Sequence, residues 1–137
     1  MLDREIGECC KKLRLSQNLS DAAQTAEGGS HQEYLYRLFR SELEYREKSR
    51  IAKYIKSAGF YSVKTFDAFR FDEVTLPSDT SPEQLRALEF MADRKNIIMY
   101  GRTGTGKTML STALGVEACR KGYKVRFCRT ASLVNQL

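Results

Sequence analysis

No run in these 137 residues is long and apolar enough to span a bilayer. The opening Met1-Leu2-Asp3-Arg4-Glu5 lacks the basic-then-apolar pattern of a secretory leader. The four cysteines, Cys9, Cys10, Cys119 and Cys128, have neither C-x-x-C nor metal-ligand spacing. These absences predict a cytoplasmic protein without membrane contact, its thiols reduced and mostly packed as small apolar groups. His31 is the sole histidine, and it falls in a predicted first helical turn without a partner, which argues against histidine catalysis or ligation. There is no internal repeat and no low-complexity tract.

What is present fits a soluble globular chain. With 42% hydrophobic and 29% charged residues, it is too apolar for a disordered chain. Its length suits one ordinary domain, or a small one with an appendage. The net charge of +6 is unevenly placed: residues 1–33 sum to −2, 34–70 to +5, 71–100 to −3 and 101–137 to +6. Two basic blocks predict either a face for a polyanion such as DNA, or a solvated basic helix beside an anion site.

The first half reads as helical. Leu2, Ile6, Cys9 or Cys10 and Leu13 share one face, and a second short helix is predicted to start after Ser20. Ser30-His31-Gln32-Glu33 matches a capping box ahead of a helix from Gln32 to about Ala58. Leu35, Leu38, Phe39, Leu43, Ile51, Tyr54, Ile55 and Ala58 mark its apolar stripe. Glu33–Arg37, Glu42–Arg46 and Glu44–Lys48 are expected i,i+4 pairs, and Arg46, Arg50 and Lys53 share a face suited to a phosphate backbone. After Gly59, residues 60–71 form an aromatic-rich stretch without a clean period, read as a pinned linker. Ser81-Pro82-Glu83-Gln84 then starts another helix, with Leu85, Leu88 and Met91 or Ala92 buried.

The most informative stretch is Gly101-Arg102-Thr103-Gly104-Thr105-Gly106-Lys107-Thr108, which fits G-x-x-x-x-G-K-[ST] at every fixed position. The apolar run Asn96–Tyr100 reads as a buried parallel strand before it. Leu110, Ala113, Leu114 and Ala118 recur at helical spacing after it, up to a stop at Gly122. Tyr123–Cys128 reads as a second strand, and a further helix is predicted to begin near Ala131. In this context Gly104 and Gly106, with Thr105, let successive N–H groups surround phosphate oxygens at a helix start. Lys107 is then placed to meet the terminal phosphates of ATP and the Thr108 hydroxyl to ligate Mg²⁺.

The whole segment GRTGTGKTMLSTALGVEACRKGYKVRFCRTASLVNQL resembles the IstB-like ATP-binding proteins, helper ATPases of insertion-sequence transposition and cousins of bacterial helicase loaders within the AAA+ class. Ser57-Ala58-Gly59-Phe60 with Lys64-Thr65-Phe66-Asp67-Ala68-Phe69 resembles that family's entry into its ATPase domain. Leu35-Tyr36-Arg37-Leu38-Phe39-Arg40-Ser41-Glu42-Leu43 resembles the segment preceding it. Carried over by position, the nucleotide set is Gly101, Thr103, Gly104, Thr105, Gly106, Lys107, Thr108 and Met109, with Thr108 also on the metal. Arg102-Thr103 stands where such loops usually have two prolines, and Met109 where histidine is usual.

The resemblance implies an α/β fold: a helical N-terminal region, then the first half of a P-loop, AAA+-type parallel-sheet domain. The division expected is 1–58 for DNA or partner binding, 59–81 as linker and 82–137 for ATP. It also implies DNA and a cognate transposase as partners, with self-assembly. No strand ending in the acidic pair that holds Mg²⁺ follows the loop, so the expectation is an N-terminal fragment, incomplete for hydrolysis, without a catalytic residue. Two alternatives remain: a helicase-loader ATPase, and a non-enzymatic basic adaptor for DNA or a partner.

Overall fold

The computed structural model describes residues 2–135. Helix α1 runs Leu2–Lys12, α2 Gln17–Thr25 and α3 His31–Ala58; a 3-10 turn covers Phe66–Ala68. Helix α4 spans Pro82–Ala87, α5 Glu89–Ala92, α6 Lys107–Arg120 and α7 Thr130–Val134. The chain forms two compact units, Met1–Arg50 and Ile51–Leu137, so the division falls inside α3 rather than at its end.

In the first unit, α1 packs on α2 and stops at Arg14 in the left-handed conformation, φ 55°. The Arg14 N–H bonds the Lys11 carbonyl at 3.1 Å and the Leu15 N–H the Cys10 carbonyl at 2.7 Å, the two bonds of a Schellman stop. Helix α2 begins at Gln17, earlier than the sequence predicts. The reason is Glu42, whose carboxylate accepts from the Ser16 N–H at 3.0 and 3.2 Å and from the Ser16 hydroxyl. That fixes Ser16 as the helix cap and leaves Ser20 buried inside the helix.

The same contacts decide how this part of α3 faces. Asn18 donates to the Ser41 hydroxyl at 3.0 Å, and the Tyr34 hydroxyl donates to the Ala23 carbonyl at 2.9 Å. These polar anchors turn the Tyr34–Ser41–Glu42 flank inward. Leu35, Phe39 and Leu43 are consequently exposed, against the expectation of a buried stripe. The Glu33–Arg37 and Glu42–Arg46 pairs form, at 2.8 and 2.7 Å. Glu44 pairs with Arg40, not Lys48, at 3.5 Å. The cap at Ser30 also forms, its hydroxyl accepting from the Glu33 N–H at 3.2 Å; Glu33 reaches back to the Gly29 N–H, one residue earlier than a standard box requires.

The second unit is built around α6. Leu110, Ala113, Leu114 and Ala118 of that helix join Phe66, Phe69 and Leu88 in a buried cluster. The aromatic-rich stretch is thus part of the core at Phe66 and Phe69. Ser81 and Gln84 form the reciprocal capping box at the start of α4. The helix predicted to continue from there breaks at Leu88, φ 61°, giving α4 and α5 as separate short turns. Leu88 is 3% exposed, so burying its side chain offsets a left-handed strain of roughly 1–2 kcal/mol. At the far end of α6, Gly122 (φ 89°) and Tyr123 close a Schellman stop on the Cys119 and Ala118 carbonyls, at 3.0 and 2.9 Å.

The two predicted strands are corrected: among the described residues no β-ladder forms, and the regular structure is helical. Residues 96–100 and 123–128 nevertheless alternate as a strand would. Ile97, Met99 and Val125 pack on the core while Ile98, Tyr100, Lys124 and Arg126 are exposed. Each segment rests one side on the helical core, and among the described residues neither gains the run of edge hydrogen bonds that a ladder requires; the 123–128 segment has the single bond from the Phe127 N–H to the Ala58 carbonyl, at 2.7 Å. Cys10 and Cys119 are buried as expected of small apolar groups, whereas Cys9 and Cys128 are exposed; all four are free.

Candidate functional site

The loop 101–106 joins the extended segment 96–100 to α6. Its shape comes from three glycines: Gly101, Gly104 and Gly106 have φ of 150°, 84° and 86°, values that side chains rarely adopt. Gly106 is the N-cap of α6 and offers no side-chain cap. The first-turn N–H groups of Lys107, Thr108 and Met109 therefore lack the intrahelical partners that later residues have. Uncapped amides at the positive end of a 14-residue helix are donors available to an anion.

Lys107 folds over this loop. Its Nζ donates to the Gly101 carbonyl at 2.8 Å, the Arg102 carbonyl at 2.7 Å and the Thr105 hydroxyl at 3.4 Å. Thr105 in turn donates to the Arg102 carbonyl at 2.8 Å. The ammonium thus sits on the loop's own oxygens. Thr103 and Thr108 are exposed. The Thr108 carbonyl accepts from the Ser111 and Thr112 hydroxyls at 3.0 and 2.8 Å, which ties down the first turn. Met109 packs its side chain on the core, so its backbone N–H is what it adds to the helix start.

Behind the loop stands an aromatic brace that sequence reasoning passed over as linker. The Phe69 ring backs Gly106, Phe71 meets Phe69 edge-on at 4.9 Å, and the Arg86 guanidinium lies 5.3 and 5.5 Å over the Phe71 and Phe66 rings. The density of phenylalanine in 60–71 was the available signal. Nearby carboxylates are engaged: Asp67 accepts from Thr65 at 3.2 Å, and Asp72 from Arg70 at 2.5 Å. The Arg70 bond holds the Asp72 carboxyl below its ordinary pKa. Burial pushes the Cys119 thiol up, which leaves it an inert core group. Among the described residues no three His, Cys, Asp or Glu side chains gather into a metal-holding group.

The DNA-facing arginines expected on α3 are committed. Arg46 bonds Glu42 and, at 2.6 Å, the Arg14 carbonyl. Arg50 bonds Glu47 at 2.7 Å. No described helix is long and apolar enough to cross a membrane.

A glycine-shaped loop opening an uncapped helix, with a lysine at its first position, is the arrangement of nucleotide-binding proteins as a class. Residues 10–137 match the family described as IstB-like ATP binding protein, and the chain belongs to that family. It is 32% identical over 141 aligned positions to an insertion sequence IS5376 protein of Geobacillus stearothermophilus named for ATP binding, covering 99% of this chain and 56% of that one. An insertion-sequence protein of Mycobacterium tuberculosis, named likewise, is 30% identical, with 98% and 56% covered. The IS1162 protein of Pseudomonas fluorescens is 34% identical over 112 positions, with 79% and 47% covered. The chain spans about half the length of the curated relatives it matches.

Proposed function

We propose that the chain binds ATP at Gly101–Thr108 and belongs to an ATP-dependent, DNA-associated helper of a transposase. The observation that carries the reading is the Lys107 ammonium held at 2.7–2.8 Å on the Arg102 and Gly101 carbonyls, over a loop of left-handed glycines that opens α6 uncapped. In this reading the N–H groups from Thr103 to Met109 take the phosphates, and Lys107 exchanges its carbonyl partners for the terminal phosphate oxygens. The Thr108 hydroxyl is the protein ligand to Mg²⁺, which would neutralise phosphate charge. A single hydroxyl suits a metal carried chiefly by the nucleotide and water rather than by a protein cage.

The names of the insertion-sequence relatives support transposition as the setting, with a cognate transposase as partner and self-assembly of the whole protein. Residues 1–58 serve DNA or partner contact, 59–81 link and brace, and 82–137 carry the nucleotide. The test is titration of the chain with a fluorescent ATP analogue, with and without Mg²⁺. Saturable binding competed by ATP and ADP but not by adenosine supports the reading. Indifference to nucleotide would establish a non-enzymatic adaptor instead.

A further inference from the structure

We infer that Arg102 grips the terminal phosphate of the bound nucleotide and makes the loop prefer a triphosphate to a diphosphate. The inference rests on the ATP reading proposed above and adds one residue to that site. Arg37, Arg40, Arg46, Arg70 and Arg120 each face a carboxylate, and Arg86 and Arg129 lie over aromatic rings. Arg102 differs: its side chain is exposed and, among the described residues, makes no hydrogen bond, ion pair or ring contact. Its backbone alone is engaged, the carbonyl accepting from the Lys107 Nζ at 2.7 Å and from the Thr105 hydroxyl at 2.8 Å.

That carbonyl fixes how near the two cations of the loop lie. With Nζ 2.7 Å from the Arg102 oxygen, the ammonium stands at most about 5 Å from the Arg102 Cα. An arginine side chain is longer than this span, so its guanidinium reaches oxygens at the place Lys107 serves. No Asp or Glu occurs from residue 94 to residue 116. Neither the loop nor its flanks therefore hold a carboxylate that would engage the guanidinium first.

The two cations divide the phosphates between them. In a loop of this kind the amides hold the inner phosphates, and the lysine reaches from the β- to the γ-phosphate. A guanidinium presents paired N–H donors that match two oxygens of one phosphate, whereas an ammonium is a point charge. ADP keeps the phosphates held by the amides and Lys107 and lacks the one beyond them. Arg102 therefore separates the two nucleotides where the amides do not. This is a role in binding and selectivity, and no step of hydrolysis is assigned to it.

The experiment is displacement of a fluorescent ATP analogue from the full 137-residue chain by ATP and by ADP, with Mg²⁺ and at fixed salt. Wild type should bind ATP more tightly than ADP. Arg102→Gln should weaken ATP roughly tenfold, the scale of one charge-assisted hydrogen bond, and leave ADP within about twofold. Arg102→Lys keeps the charge and loses the paired donors, so it should recover only part of the ATP affinity. Lys12→Gln removes one exposed charge at the end of α1, away from the loop in sequence, and should leave both affinities at wild-type values. Circular dichroism of Arg102→Gln should match wild type, since that side chain holds no other group. An Arg102→Gln variant that changes neither nucleotide, or both equally, overturns the assignment, as does an equal ATP loss in Lys12→Gln. Lys107→Ala is titrated in parallel: if it retains ATP, the nucleotide reading itself fails. Loss of ATP in Lys107→Ala with Arg102→Gln unaltered refutes the role of Arg102 alone.

Discussion

The edge of the Phe69 ring lies 3.3 Å from where a β-carbon on Gly106 would stand. Gly106 also has φ 86°, so space and backbone conformation both demand glycine at the helix cap. Gly106→Ala should lower stability by roughly 1–2 kcal/mol from left-handed strain alone. Nucleotide affinity should fall further, because relief of that strain moves the first-turn amides. Denaturant unfolding and analogue titration of the variant check this; unchanged values in both would mean the loop does not need its observed shape.

The Lys107 ammonium hydrogen-bonds within the loop, to Gly101, Arg102 and Thr105. Lys107→Ala should therefore abolish ATP binding while leaving the helical content of residues 1–58 unchanged. Circular dichroism and fluorescent-analogue titration read the two effects separately. Undiminished binding would move the nucleotide elsewhere.

The loop and its helix were legible because fixed motif residues and a 3.6-residue apolar period agree there. Helix α1 and the capping box at Ser81–Gln84 were legible too; α3 was legible in its extent, but the stripe assigned to it at Leu35, Phe39 and Leu43 is exposed. Two features were hidden. Arg14 and Arg94 both hold left-handed positions that sequence reasoning expects of glycine, so those stops carry no residue signal. The inward face of α3 was set by Glu42, a charge that periodicity assigns to solvent. Its partners Ser16 and Arg46 come from another helix boundary and from one turn away. The run 96–100 was read as a buried strand, yet Ile98 and Tyr100 are exposed, and among the described residues neither it nor 123–128 pairs into a ladder. Ladder formation, however, depends on an edge partner, and local sequence does not specify one.

Glu42 gives the first unit a pH dependence. Burial of its carboxylate, only 4% exposed, works against the charge, but bonds from Ser16 and Arg46 outweigh it and hold the pKa below the ordinary value. A lowered folded pKa means stability that is present above the unfolded value of about 4.3 and lost as pH falls through the folded one. Glu42→Gln should remove that acid-side loss and destabilise at neutral pH by about 1–3 kcal/mol, since Ser16 and Arg46 lose a charged acceptor. Hydrogen exchange of residues 16–46 against pH checks it; an unaltered acid profile would refute the role assigned to Glu42. Arg46→Gln should weaken the same unit, since Arg46 ties α3 to the Arg14 carbonyl at the end of α1.

Hydrolysis is the last expectation, and it follows from where the nearby carboxylates are bound. Turning over ATP requires a group that orients the attacking water and a metal shell completed beyond Thr108. Asp67 lies within the loop's aromatic brace and Asp72 directly after it, and they are engaged by Thr65 and Arg70. Asp72 is moreover held ionised by its arginine, so it answers that cation first. In phosphoryl transfer an arginine supplied in trans is worth about 10³–10⁵ in rate. A chain contributing only ground-state contacts from Lys107 and Thr108 should therefore release phosphate at the rate of its Lys107→Ala variant. Asp67→Asn and Asp72→Asn should leave that rate unchanged. A phosphate-release assay on the purified chain compares all four proteins. Turnover well above the Lys107→Ala blank, lost in either Asp variant, would make that aspartate the water-orienting residue and the chain an ATPase in its own right.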